Sequence, residues 1–141
     1  MMRDFSGKPK SINQELITLL LDHGYIPVIC IPIIDENNFA INSENDDIVS
    51  VLQETLQAET VLQLIEAPGF MGDIKDPTSL VKQISRTELE MREAQVEGRM
   101  KRKMLALRKL MENGASQVII SDGRVEHPIQ DALSGKGTLI Q

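Results

Sequence analysis

The chain has 141 residues, with 21 acidic against 15 basic side chains and a formal net charge of −6. This length suffices for a hydrophobic core, and we expect a single domain over residues 1–141. The acidic balance argues against a nucleic-acid-binding protein, which needs a basic face to neutralise phosphates. No apolar stretch reaches the length of a membrane span. The single cysteine, Cys30, cannot form an intramolecular disulfide, and the N-terminus lacks an apolar signal segment, so we expect a cytoplasmic protein.

The first third of the sequence predicts a helix, a strand and a second helix. The helix covers Ser11–His23, where Ser11 and Gln14 have the spacing of a capping box. The apolar, β-branched run Tyr25–Ile34 predicts a strand that is buried on both faces, as in a parallel sheet. An apolar stripe at helical spacing predicts a second helix that starts near Asn45 or Asp46 and ends at about Leu56.

The middle of the sequence predicts one strand followed by two helices. The strand is Thr60–Ile65, and it is followed by a loop that contains a proline and a glycine. Ser85 or Thr87, each with a glutamate three residues further on, caps a short helix that ends at Ala94. The clearest helical pattern in the chain covers Gly98–Asn113.

The last quarter predicts a strand at Gln117–Ser121, a brief helix at Pro128–Leu133 and a final short strand at Thr138–Ile140. Helices therefore alternate with buried strands along the whole chain. This order predicts an α/β fold, a three-layer sandwich with a largely parallel sheet and helices on both faces. Such sheets bind ligands at the loops that follow their strands.

A polar stretch, Asn42–Asp47, lies at the start of the second predicted helix. A helix N-terminus offers free N–H groups and partial positive charge, so an anionic ligand could bind near it. Asparagine and aspartate are also the preferred helix caps, and on the residues alone capping is the favoured interpretation. A calcium loop is a poor alternative, because its glycine and its distal glutamate are missing.

A basic cluster, Gly98–Lys103, opens the long helix. A helical projection places four apolar side chains in one stripe. These are Met100, Met104, Leu107 and Met111. Lys103 lies at the edge of this stripe, where a lysine can reach a cleft. The other basic side chains of the helix are expected on a solvated face; they are Lys101, Arg102, Arg108 and Lys109.

Two loops after predicted strands complete the candidates, Glu66–Met71 and Asp122–His127. Either can be a plain turn, but their position makes one of them a candidate nucleotide loop. The sequence contains no Walker A motif, no Gly-x-Gly-x-x-Gly and no nucleophile elbow. His23 and His127 have no partners at metal-ligand spacing, so both are expected to be surface residues.

Taken together, these stretches resemble the amino-acid kinase family, in particular its acetylglutamate kinase branch. The resemblance is greatest to the kinases that act on aminoadipate or glutamate held by an amino-group carrier protein, in lysine and arginine biosynthesis. Seven stretches in the family's order carry it: Gly7–Lys8, Gly24–Val28, Asn42–Asp46, Ala67–Gly69, Gly98–Lys103, Ser121–Ile129 and Gly135–Thr138. The chain resembles the nucleotide-binding C-terminal half of the family fold.

The resemblance implies roles for particular residues. Asn42 would hold the amino-acid substrate, Asp46 would orient lysines around the transferring phosphoryl group, and Lys103 would stabilise the transition state from the nucleotide side. Six residues would cradle the nucleotide: Glu66, Ala67, Pro68, Gly69, Phe70 and Met71. ATP and Mg²⁺ are the implied cofactors. Because a carboxylate nucleophile is already ionised at neutral pH, such a reaction needs cations and alignment rather than a general base.

The sequence departs from the family pattern in two ways. Ile65–Ala67 replaces the Ser/Thr, Asp/Asn and Val that the family usually has before its nucleotide loop. Family members are also about twice as long, and their N-terminal half carries a lysine, a paired-glycine phosphate loop and a substrate arginine. We therefore expect a separate N-terminal lobe as a partner, and homo-oligomerisation through an exposed sheet edge. The alternatives are a non-catalytic nucleotide-binding remnant or interaction module, and a different small α/β enzyme.

Overall fold

A computed structural model of the chain describes residues 5–73, 75–76, 78–95 and 97–141. The side chains of Arg99 and Met100 lie outside the described part, and with them the predicted position of Met100 in the apolar stripe. The chain forms two compact units, Met1–Gln57 and Ala58–Gln141. Each unit is described by itself below.

The first unit contains two helices and a two-stranded ladder. They are, in order, helix α1 (Gln14–Asp22), strands β1 (Ile33–Ile34) and β2 (Ala40–Ile41), and helix α2 (Asn45–Leu56). Helix α1 is shorter than predicted at its start, because Asn13 Oδ1 accepts a hydrogen bond from the Leu16 N–H at 3.0 Å. Asn13 is therefore the cap, and the prediction of a capping box beginning at Ser11 is wrong.

The prediction of a long strand over Tyr25–Ile34 is also wrong for the described structure. Only Ile33 and Ile34 pair, in an antiparallel ladder with β2. Ile26 is 88% exposed and Val28 is 89% exposed, so this part of the run is covered on neither face. Its β-branched composition favours a strand, but a strand forms only beside a partner, and no further strand of the described residues lies next to it.

Helix α2 has the predicted bounds. Asp46 and Asp47 lie in its first turn, where the helix dipole favours negative charge. Its N-cap is Glu44, whose side chain makes no capping hydrogen bond. The capping interpretation of Asn42–Asp47 is therefore wrong for the side chains, although the two aspartates lie where the dipole stabilises them.

The second unit is a four-stranded sheet with three helices. Its elements are β3 (Thr60–Ile65), β4 (Gln83–Ile84), α3 (Arg86–Gln95), α4 (Gly98–Glu112), β5 (Gln117–Asp122), α5 (Pro128–Leu133) and β6 (Thr138–Ile140). The strand order is β3-β5-β6-β4. The β3–β5 and β6–β4 pairs are parallel, and the β5–β6 pair is antiparallel. The largely parallel sheet is therefore confirmed. The two-residue strands β2 and β4 are too short to give a sequence pattern.

Strand β5 is the centre of the second unit. Four consecutive residues, Val118 to Ser121, are buried, so both faces of the strand are covered, as the predicted sandwich requires. Helix α4 contacts both β5 and α3, and helix α5 contacts β5 and β3. The inner stripe of α4 is buried as predicted at its described members, Met104, Leu107 and Met111. Leu110 is buried beside them.

Helix α3 is capped by Ser85, whose Oγ accepts a hydrogen bond from the Glu88 N–H at 3.1 Å, as one of the two capping alternatives predicts. Arg108 departs from its predicted place on a solvated face. Its Nε donates to Glu93 Oε2 at 2.9 Å and its Nη1 donates to Glu112 Oε1 at 3.1 Å. The correction has a simple cause, because α3 packs beside α4 and brings Glu93 within reach. Across the described part of the chain, no helix combines the length and apolarity that crossing a membrane requires.

Replacing Leu107 by alanine is expected to destabilise the protein by about 2–5 kcal/mol, because loss of the buried side chain would leave a cavity at the inner face of α4. Leu105 lies on the same helix and is exposed, so Leu105→Ala is the matched control and should change stability by less than about 1 kcal/mol. Urea unfolding followed by circular dichroism measures both. Equal losses for the two variants would contradict the assignment of the buried face.

Candidate functional site

Two loops of the second unit begin at one edge of its sheet. Strands β3 and β5 are parallel and in register, so their last residues, Ile65 and Asp122, are paired. The Gly123 N–H donates to the Ile65 carbonyl at 2.8 Å, which holds the starts of the two loops together. The loop from Glu66 to Met71 and the loop after Asp122 therefore meet at the carboxyl ends of the strands, where α/β sheets bind ligands.

A buried threonine holds the first loop in place. Thr138 Oγ1 accepts a hydrogen bond from the Phe70 N–H at 2.8 Å and donates one to the Val81 carbonyl at 2.6 Å. The Val81 N–H in turn donates to the Phe70 carbonyl at 2.9 Å. The Thr138 side chain is fully buried, so these bonds are made in a water-poor environment. The first residue of β6 thus fixes the loop that follows β3.

Glycine is the only residue that fits at the centre of this loop. A Cβ atom on Gly69 would lie 2.7 Å from Thr138 Oγ1 and 2.8 Å from Leu80 Cδ1, both closer than real Cβ contacts. Gly137 is similarly restricted, because its φ is +115° and a Cβ atom there would overlap the Ile120 carbonyl oxygen. Both glycines allow the loops to lie directly against the strands.

Phe70 also links the loop to helix α3. The Arg92 guanidinium lies over the Phe70 ring, 5.4 Å from its centroid. Arg92 is itself held by Glu88, whose Oε1 accepts from Nη2 at 2.7 Å and from Nε at 3.0 Å. The aromatic side chain of the loop is therefore held by a cation, and the loop is fastened on two sides.

A cleft of about 280 Å³ opens beside these loops. Its lining residues come from both loops, from the end of β5, from α5 and from the segments before β4 and β6: Pro68, Leu80, Lys82, Ser121, Asp122, Val125, Asp131, Lys136 and Gly137. Lys136 Nζ is paired with Asp131 Oδ1 at 2.9 Å. Lys82 makes no ion pair with any described residue, so its ammonium is free to meet an anionic group.

An acid–base pair marks the end of β5. Arg124 Nε and Nη2 donate to the two carboxylate oxygens of Asp122 at 2.9 and 2.8 Å, and the Arg124 N–H donates to Oδ1 at 2.9 Å. These hydrogen bonds, first from the guanidinium and then from the backbone, lower the pKa of Asp122 to about 2. The pKa of Arg124 is raised by Asp122 and, to a smaller extent, by the charge of Glu66. A fixed negative charge therefore borders the cleft.

The predicted residues Asn42 and Asp46 belong to the first unit. Asn42 is held by its backbone, since its N–H donates to the Phe5 carbonyl at 2.7 Å and its carbonyl accepts from the Gly7 N–H at 2.9 Å. Its side chain is exposed, and so is that of Asp46 in the first turn of α2. Neither side chain makes a hydrogen bond or ion pair with the described residues, so both are available to a ligand.

Lys103 lies on α4 in the second unit, half-buried beside the fully buried Met104 and Leu107. This is the border position that the helical projection predicts. Its ammonium has no carboxylate partner among the described residues, whereas Lys101, Arg102 and Lys109 are exposed as predicted. The structure thus brings the 66–71 loop together with the end of β5, and it leaves Asn42, Asp46 and Lys103 each without a side-chain partner in the described part of its own unit.

Three residues of the site were missed by the sequence-based predictions. Thr138 gave no signal of its own beyond its place in the Gly135–Thr138 stretch, and the partner of its hydroxyl lies 68 residues away in the chain. Arg92 resembles any charged residue of an amphipathic helix. Lys82 lies in a stretch without a helical or strand pattern, and only the packing of the loops places it at the cleft.

The sequence of the chain matches the model of a known protein family. The model of the amino acid kinase family matches residues 3–122. The chain is 37% identical over 140 residues to the LysW-aminoadipate kinase of Thermus thermophilus, which covers 98% of this chain and 52% of that protein. It is 36% identical over 128 residues to the acetylglutamate kinase of Gracilaria tenuistipitata var. liui, with 89% of this chain and 45% of that protein covered. The chain therefore spans about half the length of the curated relatives it matches.

Solved structures have the same fold. The N-acetylglutamate synthase of Neisseria gonorrhoeae matches 96% of this chain and 32% of its own chain, with a TM-score of 0.82 and 20% identity. The carbamate kinase of Giardia matches 96% of this chain and 50% of its own, with a TM-score of 0.71 and 26% identity.

Replacing Asp122 by asparagine is expected to change how stability depends on acid. Because the folded pKa of Asp122 is about 2, below its ordinary 3.8, the pair with Arg124 stabilises the protein above pH 4 and loses its effect as the pH falls towards 2. The difference in unfolding free energy between wild type and Asp122→Asn should therefore shrink between pH 5 and pH 2. Denaturant titrations across this range measure it.

Arg124→Gln is the control for this prediction, because it removes the cause of the lowered pKa. The double variant should lose little more than either single variant. Parallel stability curves for wild type and Asp122→Asn over the whole pH range would contradict the role of this pair.

Proposed function

Because the chain belongs to the amino acid kinase family, we propose that it is the nucleotide-binding half of a kinase that uses ATP to convert a side-chain carboxylate into an acyl phosphate. The observation that carries the proposal is the loop from Glu66 to Met71. It follows β3 where the paired strands β3 and β5 end, and the Thr138 hydroxyl accepts a hydrogen bond from its Phe70 N–H. We infer one domain over residues 1–141, completed by a further lobe of the fold, since the matched relatives are about twice as long.

In this proposal the adenine nucleotide binds along the 66–71 loop and the neighbouring cleft. The loop places backbone groups and the apolar Pro68 at the strand ends, and Lys82 offers a free cation for a phosphate. Thr138 and Arg92 hold the loop in a single shape, so little ordering is needed when the nucleotide binds. Ile65–Ala67 replaces the residues that the family usually has before this loop. We therefore propose that this chain contacts the adenine base of the nucleotide differently from other members of the family.

The proposed chemistry uses the side chains that have no partner within their unit. Asn42 would hold the amino-acid substrate, and Lys103 would neutralise negative charge as the phosphoryl group leaves the nucleotide. Asp46 would orient the lysines around that group. A substrate carboxylate is ionised at neutral pH and attacks without a general base, so the work of these residues is charge compensation and alignment.

Mg²⁺ fits this arrangement as an ion carried by the nucleotide. The described residues gather no group of three or more acidic, histidine or cysteine side chains that could hold a metal by themselves. Mg²⁺ in nucleotide enzymes is held largely by substrate phosphates and water, with one or two carboxylates. When bound, the ion supplies positive charge at the transferring phosphoryl group.

We propose an N-blocked aminoadipate or glutamate as the substrate, free or attached to a carrier protein. The support is the pair of relatives at 37% and 36% identity, named for LysW-aminoadipate and for acetylglutamate. Each name contains an amino acid whose side chain ends in a carboxylate, joined to a further group. The reaction would belong to lysine or arginine biosynthesis in the cytoplasm.

A second candidate function is a nucleotide-binding module without transfer. The observation that favours it is the replacement at Ile65–Ala67, together with the half-length match to the curated relatives. This candidate shares nucleotide binding with the kinase proposal and differs from it only in phosphoryl transfer.

Mg·ATP is expected to bind this chain, and calorimetric titration measures it. Thr138→Val should weaken binding by about tenfold, because the Phe70 N–H and the Val81 carbonyl lose their partner and the loop loosens. Thr138→Ser keeps the hydroxyl and is the matched control, with binding close to wild type. Absence of heat at millimolar Mg·ATP would refute the nucleotide site.

Phosphoryl transfer is expected only when the second lobe is supplied, and it should depend on Asp46 and Lys103. Asp46→Asn should abolish acyl-phosphate formation while leaving the fold intact. Lys103→Ala should lower kcat more than it raises KM for ATP, because its charge acts mainly in the transition state. Lys101→Ala, on the exposed side of the same helix, is the control. Hydroxamate trapping of the acyl phosphate is the assay, and binding without transfer would favour the non-catalytic module.

A further inference from the structure

A buried hydroxyl group in the second unit has no partner in the described part of the chain. Two polar side chains of this unit are buried, Ser121 with 2% of its surface exposed and Thr138 with none. The Thr138 hydroxyl both donates and accepts a hydrogen bond. The Ser121 hydroxyl makes no hydrogen bond with any described residue. Because an unpaired buried hydroxyl costs free energy, this group indicates a partner that comes from outside the chain.

Ser121 forms part of the floor of the cleft, near the end of β5. Three buried apolar residues, Val118 to Ile120, precede it in the strand. Its hydroxyl oxygen is not among the polar atoms that are sealed away from solvent, and the residue lines the cleft. A Cβ atom on Gly137 would lie 3.1 Å from the Ser121 Cβ, so a side chain there would crowd the serine. The hydroxyl is therefore reached from the cleft, and the glycine beside it leaves that approach open.

The cleft is apolar along its walls and cationic at its mouth. Pro68, Leu80 and Val125 provide the apolar surface. Lys82 and Lys136 are exposed, so their ammonium groups lie at the outer edge. The volume of about 280 Å³ is at the small end of the range for ligand pockets. It suits a base and its sugar, with charged phosphates remaining outside.

Most of the polar side chains that line the cleft are already paired. The Asp122 carboxylate is bound by Arg124, and the Asp131 carboxylate is bound by Lys136. The Ser121 hydroxyl and the Lys82 ammonium are the two polar side-chain groups of the lining without a partner among the described residues. One lies on the floor and the other at the mouth, so a ligand that meets both carries a hydrogen-bonding edge at one end and negative charge at the other.

We propose that Ser121 is a specificity-determining residue, whose hydroxyl forms a hydrogen bond with the base of the adenine nucleotide. The base enters the cleft first, between the apolar walls, and the phosphates stay at the mouth beside Lys82. A hydroxyl can donate to a ring nitrogen of adenine and accept from its amino group. The inference rests on the proposed function, and it adds the orientation of the nucleotide and a residue that recognises its base.

The affinities of Mg·ATP and of adenosine separate the two contacts, because adenosine has the base and the ribose but no phosphate. Calorimetric titration and ligand-observed NMR on the full chain measure both. Ser121→Ala should weaken both ligands by the same factor, about fivefold, since the hydroxyl contacts the base. Lys82→Met should weaken Mg·ATP by about fivefold or more and leave adenosine unchanged, since its charge acts on phosphate.

Two control variants carry the same chemical changes outside the cleft. Ser134→Ala removes a hydroxyl that donates to the Asp131 carbonyl at 2.9 Å, and Lys75→Met removes an exposed ammonium. Neither residue lines the cleft, so both variants should bind Mg·ATP and adenosine as the wild type does.

Stability separates recognition of the base from a structural role. Urea unfolding of Ser121→Ala should show no loss of stability, because the hydroxyl has no partner to lose within the described chain. A structural role predicts a loss. Ser121→Cys has a similar shape and only a weak hydrogen-bonding group, so it gives the same binding test if the alanine variant folds poorly.

Several results would overturn the inference. Unchanged affinities for Ser121→Ala would show that the hydroxyl meets only water, and nucleotide binding itself would stand. A Ser121→Ala loss confined to Mg·ATP, a Lys82→Met loss that includes adenosine, or a wild type that binds Mg·ATP but no adenosine would each contradict the proposed orientation. If the wild type binds neither ligand, the nucleotide site falls together with the inference. Binding that follows these expectations without phosphoryl transfer would uphold the role of Ser121 and refute only the kinase.

Discussion

The burial of strand β5 on both faces is the constraint on which the second unit depends. Its four central residues are closed in by helices, and the close approach of Gly137 to the Ile120 carbonyl brings β6 directly against it. Because β5 is fixed in this way, its register with β3 fixes where both strands end. The position of the two loops that form the cleft is therefore a consequence of core packing, and the glycines at Gly69 and Gly137 permit the close contacts that this packing requires.

The loop after β3 is held by interactions that span the second unit. The Thr138 hydroxyl connects the first residue of the last strand to Phe70 and Val81, and Arg92 holds the Phe70 ring from helix α3. A loop anchored at both its backbone and its aromatic side chain keeps one conformation. In the first unit, Asn42 follows β2 and Asp46 lies in the first turn of α2, and this unit has little buried apolar surface.

Much of the fold was predictable because its signals are local. The helical stripe of α4, the apolar runs of β3 and β5 and the proline at the start of α5 each determine their own element within a few residues. The border position of Lys103 followed from the same periodicity. The segment 25–32 was predicted as a strand for an equally local reason, and the structure departs from it because a strand also needs neighbours, which no sequence window contains.

The sequence by itself determined the α/β class, the order of the five helices and of strands β3, β5 and β6, and the ordered motifs that identify the family. Tertiary structure decided which polar groups meet. The pairing of Arg108 with Glu93 follows from the packing of two helices, and the Thr138 hydrogen bonds join residues that are up to 68 positions apart. Tertiary structure also decided that residues 25–32 remain uncovered. The physical reason is the same in each case: periodicity and capping act over one or two turns, whereas burial depends on what the rest of the fold brings alongside.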